Sequence, residues 1–424
     1  MTVSALQNKL SQQAANPDYR FDALFGYIAD PRLLRLAYER IAKNSGARTP
    51  GCDGVTIQTF AKRLDANLEN LAFALEEGSY RAEPLRQVII PKADGSPRTL
   101  GIPVIRDRIV QEAIRQVLNP IFEAGFSSHS FGYRHNLSVN DAAAAVRRYA
   151  QQGRCWVLDA DIRACFDSLD HGILIGLLRK RLADERLLGL IQQFLSAGLM
   201  AGNRRQTLHC GAPQGAIISP LLANIYLHVL DRFVEHAYAS DIGYVRYADD
   251  FVVMATSKRQ ARDIQQAIAA LLHSALELDL STEKTSLKHL RQGLDFLGFT
   301  ICKPLLREHV RVDIPVTAVL ATEQKAAQLL QQQPPRVALA QLNRYLASWG
   351  GVYRHCDNAH HVFRRLDTTV QRRLLRSLAN YYGQSLAKTR RQHLHKGALQ
   401  IEGLELRRLS EVASRPTALP AATT

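Results

Sequence analysis

The sequence predicts an α/β fold with a helical C-terminal third, and three observations lead there. Short apolar runs bounded by turn residues alternate with stretches of helical periodicity as far as Cys302, the alternation expected of an α/β core. Two of these runs end in closely spaced acidic residues, Asp159-Ala160-Asp161 and Asp249-Asp250. Beyond Pro334-Pro335 the pattern is helical throughout. No internal repeat is visible.

Residues 1–29 are polar and read as a lead segment or a short helix. Asp30-Pro31 supplies a cap and first turn for a helix reaching Ala42. A Gly/Pro-rich turn follows, then a second amphipathic helix over Thr56–Glu77. Gln87–Pro91 and Thr99–Pro103 read as paired strands turning at Ala93-Asp94-Gly95-Ser96. Asp107–Phe122 is helical, and Cys155–Leu158 is a buried strand that delivers Asp159 and Asp161. One long helix is expected over His171–Leu195 and another over Ile217–Val234, opened by Ser219-Pro220. Tyr244–Thr256 reads as two short strands around Ala248-Asp249-Asp250, Lys258–Leu278 as helix and Leu294–Ile301 as strand.

At 46% hydrophobic, the 424-residue chain can bury a substantial core, which excludes wholesale disorder. No apolar run approaches the roughly 18–20 residues needed to span a bilayer. The N-terminus lacks a basic segment followed by an apolar one. The expectation is a cytoplasmic protein with no membrane partner. Six scattered cysteines, none in C-x-x-C, fit a reduced compartment and argue against structural zinc. Lys and Arg number 54 against 39 Asp and Glu, a formal charge of +15 that points to a polyanionic partner, nucleic acid first. An Arg surplus set by genome composition is the bland alternative. The charge is uneven: residues 334–424 hold 15 Lys and Arg against 5 Asp and Glu, a net of +10, which leaves +5 for residues 1–333.

Adjacent carboxylates at Asp249 and Asp250, in an otherwise apolar hairpin, are a poor choice for stability. They repel each other, and Asp is disfavoured in strands. A divalent cation that neutralises both resolves the conflict; an exposed acidic turn is the alternative. The second acidic site shifts the balance. Asp161 at a strand end, with Asp159 on the same face as its rival, joins Asp249 and Asp250 in a three-carboxylate cage. Such a cage suits two Mg²⁺ about 3.5–4 Å apart on either side of an in-line phosphoryl transfer. Asp167 and Asp170 read as helix caps.

Asp161-Ile-x-x-Cys-Phe-Asp, then Ala212-Pro213-Gln214-Gly215 with Ser219-Pro220-Leu-Leu-Ala-Asn224, then Tyr247-Ala248-Asp249-Asp250, together resemble a reverse transcriptase. The wording is nearest the group II intron-encoded reverse transcriptases, or maturases. The resemblance begins at Gly51-Cys52-Asp53-Gly54, takes in Ile90–Ala113, Ser130–Ala142 and Phe296–Phe299, and covers most of residues 30–385. It implies a right-hand polymerase: fingers and palm over 30–302, a helical thumb or maturase-like domain over 303–387 and a basic tail over 388–424. It implies a bacterial RNA-directed DNA polymerase that extends a DNA 3′-hydroxyl with dNTPs on an RNA template. Two Mg²⁺, with Mn²⁺ as substitute, are the implied cofactors.

Residue by residue, the resemblance places the metals at Asp161, Ile162, Asp249 and Asp250, and decides against Asp159. Phe166 matches the aromatic residue that excludes a 2′-hydroxyl; a core aromatic after a strand is the alternative. Gln214 and Gly215 match the turn at the incoming dNTP, with Gly215 letting backbone approach closely. Lys92 and Arg98 on the fingers hairpin are the triphosphate candidates. Lys284 matches a lysine proposed as general acid for the leaving pyrophosphate; a solvated turn lysine is the alternative. Phe296, Leu297, Gly298 and Phe299 resemble the primer grip, although the two Phe fit a strand core equally well. Arg106 and Arg108 suit either template phosphate or pairing with Asp107 and Glu112. Asn224 suits either the template or a helix surface.

In the thumb, Arg364, Arg365, Arg372, Arg373 and Arg376 lay a basic stripe along a helix, suited to RNA or a template–primer duplex. Lys388, Arg390, Arg391 and Lys396 extend it. The region departs from the family in its reduced Trp content, and no HNH-like nuclease motif follows, so a built-in DNA endonuclease is not expected. The resemblance therefore implies polymerisation more strongly than intron splicing or retrohoming. The rivals are an RNA-binding splicing maturase with incidental polymerase activity, binding group II intron RNA, and a domesticated enzyme of CRISPR, phage defence or DNA repair.

Overall fold

The computed structural model describes residues 2–44, 46–91, 95–202, 204–305, 309–395 and 398–413. Lys92, the turn at Ala93-Asp94, and Lys396 lie outside them. The chain forms two compact units, Met1–Leu137 with Leu158–Val252 and Arg262–Ser286, and Ser138–Val157 with Val253–Ala261 and Leu287–Thr424. Neither unit follows the boundaries 30–302, 303–387 and 388–424.

The strands are β1 (Leu85–Pro91), β2 (Pro97–Ile102), β3 (Trp156–Asp161), β4 (Leu199–Ala201), β5 (Arg204–Gln206), β6 (Gly243–Tyr247) and β7 (Asp250–Ala255). They continue as β8 (Ser286–His289), β9 (Leu294–Phe296), β10 (Phe299–Cys302), β11 (Arg311–Asp313), β12 (Leu394–His395), β13 (Ala398–Ile401) and β14 (Leu404–Glu405). One four-stranded sheet has the order β6-β7-β3-β8 and another β2-β1-β4-β5; β11-β10-β9 and β12-β13-β14 form smaller sheets. β1 and β2 are antiparallel with Ile90 opposite Arg98.

Of the two readings of the lead segment the short helix holds: α1 (Val3–Ala14) buries Leu6, Leu10 and Ala14 and packs on α2 (Ile105–Glu123). Several other expectations change. The helix expected over Thr56–Glu77 is two, Ile57–Ala61 and Leu64–Glu76. The helix expected over His171–Leu195 is also two, His171–Arg179 and Glu185–Ser196. Asp184 forces that break. It caps the second helix through the Leu187 amide, while its other oxygen accepts from the amides of Leu24 and Phe25. The C-terminal third is not wholly helical, since β12–β14 follow the helix Leu386–His393. Leu294–Ile301 is a hairpin rather than one strand.

Two helices bear most on the site. α3 (Ser219–Tyr238) opens with Pro220 in its first turn, and the Ser219 hydroxyl donates to the Pro213 carbonyl at 2.8 Å. α4 (Ala359–Tyr381) buries Phe363, Leu366, Val370, Leu374 and Leu378 on one face. Among the described residues no helix is long and apolar enough to cross a membrane.

Candidate active site

β7 neighbours β3 in the sheet, so the end of β3 and the start of β7 bring Asp161 and Asp250 to one place. Burial, then the charges of Asp159, Asp161 and Asp249, pushes the Asp250 carboxyl up to about 7. Burial also raises Asp249, with Asp161 adding to it and Lys284 and Arg98 opposing. Lys284 Nζ donates to Asp161 Oδ2. That bond, together with the charges of Asp161, Asp249 and Asp250, holds the ammonium above its usual pKa despite some desolvation. Lys284 is thus an exposed turn lysine that is also paired with the acidic cluster. Among the described residues no three His, Cys, Asp or Glu are gathered as a ready-made metal cage. The Ile162 side chain is buried hydrocarbon, so only its backbone carbonyl can serve as a ligand.

The Asp249-Asp250 turn is held from beneath by Arg246, Asp231 and Gly132, which had no expected role, and by Asn224, which had another. Arg246 is fully buried and donates to both oxygens of Asp231, at 2.7 and 2.6 Å. Its remaining nitrogen donates to the Asn224 side-chain oxygen at 3.0 Å and to the Ala248 carbonyl at 2.8 Å. Asn224 Nδ2 in turn donates to the Gly132 carbonyl at 2.8 Å. A Cβ on Gly132 would stand 2.4 Å from the Ala248 nitrogen. Asn224 therefore faces the hairpin support and not a template. A charged residue between apolar neighbours on a strand (Val245-Arg246-Tyr247) was the available signal, since burying an Arg requires a partner.

Phe166 is half-buried, with its ring edge-on to Tyr133 at 6.3 Å. It borders a cavity of about 250 Å³ lined also by Gln87, Thr99, Gly101, Cys210 and Gln214. Gly215 has φ +105°, and a Cβ there would lie 2.7 Å from the Gly101 carbonyl. The close approach foreseen at Gly215 is thus made to strand β2, and Gly101 donates its amide to the Gln214 carbonyl at 2.7 Å. Arg98 is exposed on β2, near enough for its charge to act on Asp249 and Tyr133. Arg108 is buried and donates to the carbonyls of Pro103, Gly46 and Thr49, while Arg106 pairs with Glu83 at 3.1 Å. Arg108 is structural, whereas Arg106 stays partly exposed in its ion pair.

Phe296 and Phe299 are buried and face each other across the β9–β10 hairpin. At the tip Gly298 is exposed and Leu297 half-buried. Tyr353 donates its hydroxyl to the Gly298 carbonyl at 3.1 Å. Arg364, Arg365, Arg372, Arg373 and Arg376 all lie on the exposed face of α4, with Arg373 3.8 Å from Glu323.

Residues 90–301, half of the chain, match the family model described as reverse transcriptase (RNA-dependent DNA polymerase). The chain belongs to the reverse transcriptase family. It is 33% identical over 340 residues to protein YkfC of Escherichia coli strain K12, covering 72% of this chain and 89% of that protein. It is 30% identical over 362 residues to the group II intron-encoded protein LtrA of Lactococcus lactis subsp. cremoris, covering 71% of this chain and 60% of that one. A chain of a solved partial Cas6-RT-Cas1--Cas2 complex matches 58% of this reverse transcriptase and 42% of its own length, at 25% identity and a TM-score of 0.37. This reverse transcriptase is of the group II intron type, with a right-hand polymerase fold, and is an RNA-directed DNA polymerase acting on an RNA template and a DNA primer. The family uses divalent metal ions. The acidic cluster fits that requirement, because a cation relieves the repulsion that raises Asp249 and Asp250.

Proposed function

We propose that Asp161, Asp249 and Asp250, with the backbone of Ile162, hold two Mg²⁺ at which this reverse transcriptase adds a dNTP to a DNA 3′-hydroxyl. The observation that carries this reading is the convergence of buried like charges on Asp250. When bound, the cations would neutralise the attacking and leaving oxygens of an in-line displacement. Phe166 closes the sugar side of its cavity against a 2′-hydroxyl. Gln214 and Gly215 form the floor against which the incoming base is set. Arg98, with Lys92 from the same hairpin, grips the triphosphate. Lys284 donates its proton to the pyrophosphate oxygen as the bond to the α-phosphorus breaks. Leu297 and Gly298 meet the primer backbone, and Phe296 and Phe299 fix that hairpin. The α4 arginines hold duplex phosphates without reading sequence.

The test is cDNA synthesis on an oligonucleotide-primed RNA. Asp249→Ala combined with Asp250→Ala abolishes incorporation; undiminished synthesis sinks the assignment. Phe166→Ala admits ribonucleotides, and unchanged NTP rejection removes its role. A second reading follows from the likeness to LtrA, a group II intron-encoded protein: the chain also binds group II intron RNA and assists splicing or retrohoming. Splicing of a cognate precursor RNA by the Asp249→Ala, Asp250→Ala protein separates that role from polymerisation.

A further inference from the structure

The second compact unit contains a polar concavity with no part in the chemistry above. It has a volume of about 920 Å³, and Arg291, Lys303, His289 and His309 line it together with the uncharged Gln151 and Thr256. No carboxylate lines it among the described residues. Within the same limit neither Arg291 nor Lys303 has an ion-pair partner. Among the described residues two cations and two imidazoles line it with no counter-charge, an arrangement that an anion would stabilise.

The geometry holds these groups in register. The Lys303 amide donates to the Leu290 carbonyl at 3.3 Å, which ties the end of β10 to the turn after β8. The His289 Nδ1 accepts the Arg291 amide at 3.1 Å, which leaves Nε2 as the proton-bearing nitrogen. Burial, then the charges of Arg291 and Lys303, lowers the His289 pKa, so both cations act on this imidazole. The Trp156 indole lies edge-on to His289 at 5.2 Å, and Lys258 Nζ stands 5.7 Å from the Trp156 ring.

We propose that this concavity is an oxyanion site that takes phosphate groups, the chemistry shared by an RNA backbone and by free polyphosphate. It is separate in sequence and composition from the α4 stripe, and it does not depend on the polymerase assignment of the carboxylates. Arg supplies a planar fork, Lys a point charge, and neutral His and Gln hydrogen-bond donors, a mixed set suited to phosphate oxygens.

The experiment uses the full chain with Arg291→Gln and Lys303→Gln, singly and together. Lys9→Gln with Lys43→Gln, both exposed elsewhere, is the charge-matched control. Binding of a labelled single-stranded RNA 20-mer is followed by anisotropy across a salt series. Binding of sodium tripolyphosphate is followed by Trp156 fluorescence in a Trp349→Phe background, since the chain has two tryptophans. The double variant is expected to bind RNA about tenfold more weakly than the control. Its log K against log salt slope should be shallower by about 1.4, or roughly 0.7 for each lost phosphate contact. Loss confined to tripolyphosphate also supports the site and names free polyphosphate as the source. Equal RNA and tripolyphosphate binding by double variant and control overturns it. Retained cDNA synthesis shows that the variant is folded.

Discussion

Two hairpins of this enzyme meet the same backbone demand by different means. The β9–β10 connection places Leu297 at φ +51° and Gly298 at φ +82°, a two-residue turn with both central residues left-handed. The β6–β7 connection places Ala248 at φ +61° with no glycine to accept it. Left-handed backbone costs a non-glycine residue roughly 1–2 kcal/mol. At β9–β10 Gly298 takes the second left-handed position without that cost, while Leu297 bears it at the first. At β6–β7 the buried network absorbs it, through the Arg246 hydrogen bond to the Ala248 carbonyl and the packing of Gly132 on the Ala248 nitrogen. The β9–β10 turn is eased in part by its own glycine. The turn that presents the carboxylates is encoded by residues distant in sequence, which fixes Asp249 and Asp250 more rigidly than a flexible glycine would.

The largest effect is expected from Asp231→Ala. It strands the Arg246 guanidinium in a fully buried position and should cost about 3–5 kcal/mol in chemical denaturation. A loss below about 1 kcal/mol would show that the turn does not depend on the pair. Burial pushes the Asp231 carboxyl up, but the charge and hydrogen bonds of Arg246 outweigh it and hold it well below the usual carboxylate range. Its contribution is therefore present above the ordinary carboxylate pKa and is lost as pH falls below it. The acid-side loss of stability should be smaller in Asp231→Asn than in the parent. Gly132→Ala comes next. The added methyl displaces the turn, and turnover on primed RNA should drop about a hundredfold, a proportionally larger change than in the melting midpoint. An unchanged rate breaks the claim that Gly132 positions the carboxylates.

Gly298→Ala tests the other hairpin. Its φ of +82° and a Cβ 3.3 Å from the Tyr353 hydroxyl should cost roughly 1–2 kcal/mol. Ala248→Gly provides the counterpart and should leave thermal stability the same or slightly higher, because the network already fixes that turn. If Ala248→Gly destabilises as much as Gly298→Ala, the contrast between the hairpins disappears. The smallest effect belongs to Tyr353→Phe, which removes one hydrogen bond to Gly298 and should cost about 1 kcal/mol by thermal melt.

By itself the sequence determined the α/β alternation, the strand-borne acidic pairs and the basic helix of the last third, because each is a local pattern of period, type or charge. It also carried the motif order that identifies a reverse transcriptase. Only the tertiary structure decided that Asn224 supports the Asp249-Asp250 turn, that Arg108 serves backbone carbonyls, and that Gly215 meets strand β2. It broke the expected long helix at Asp184, whose carboxylate serves amides about 160 residues away. It also revealed β12–β14 and gave Phe296 and Phe299 to the core. The reason is common to all of these cases. A polar side chain's partner is chosen by which distant segments are packed against it, and burial makes that choice obligatory. Nothing in the residues adjacent to Arg246 names Asp231 or Asn224. Only the sheet and α3, once assembled, bring them together.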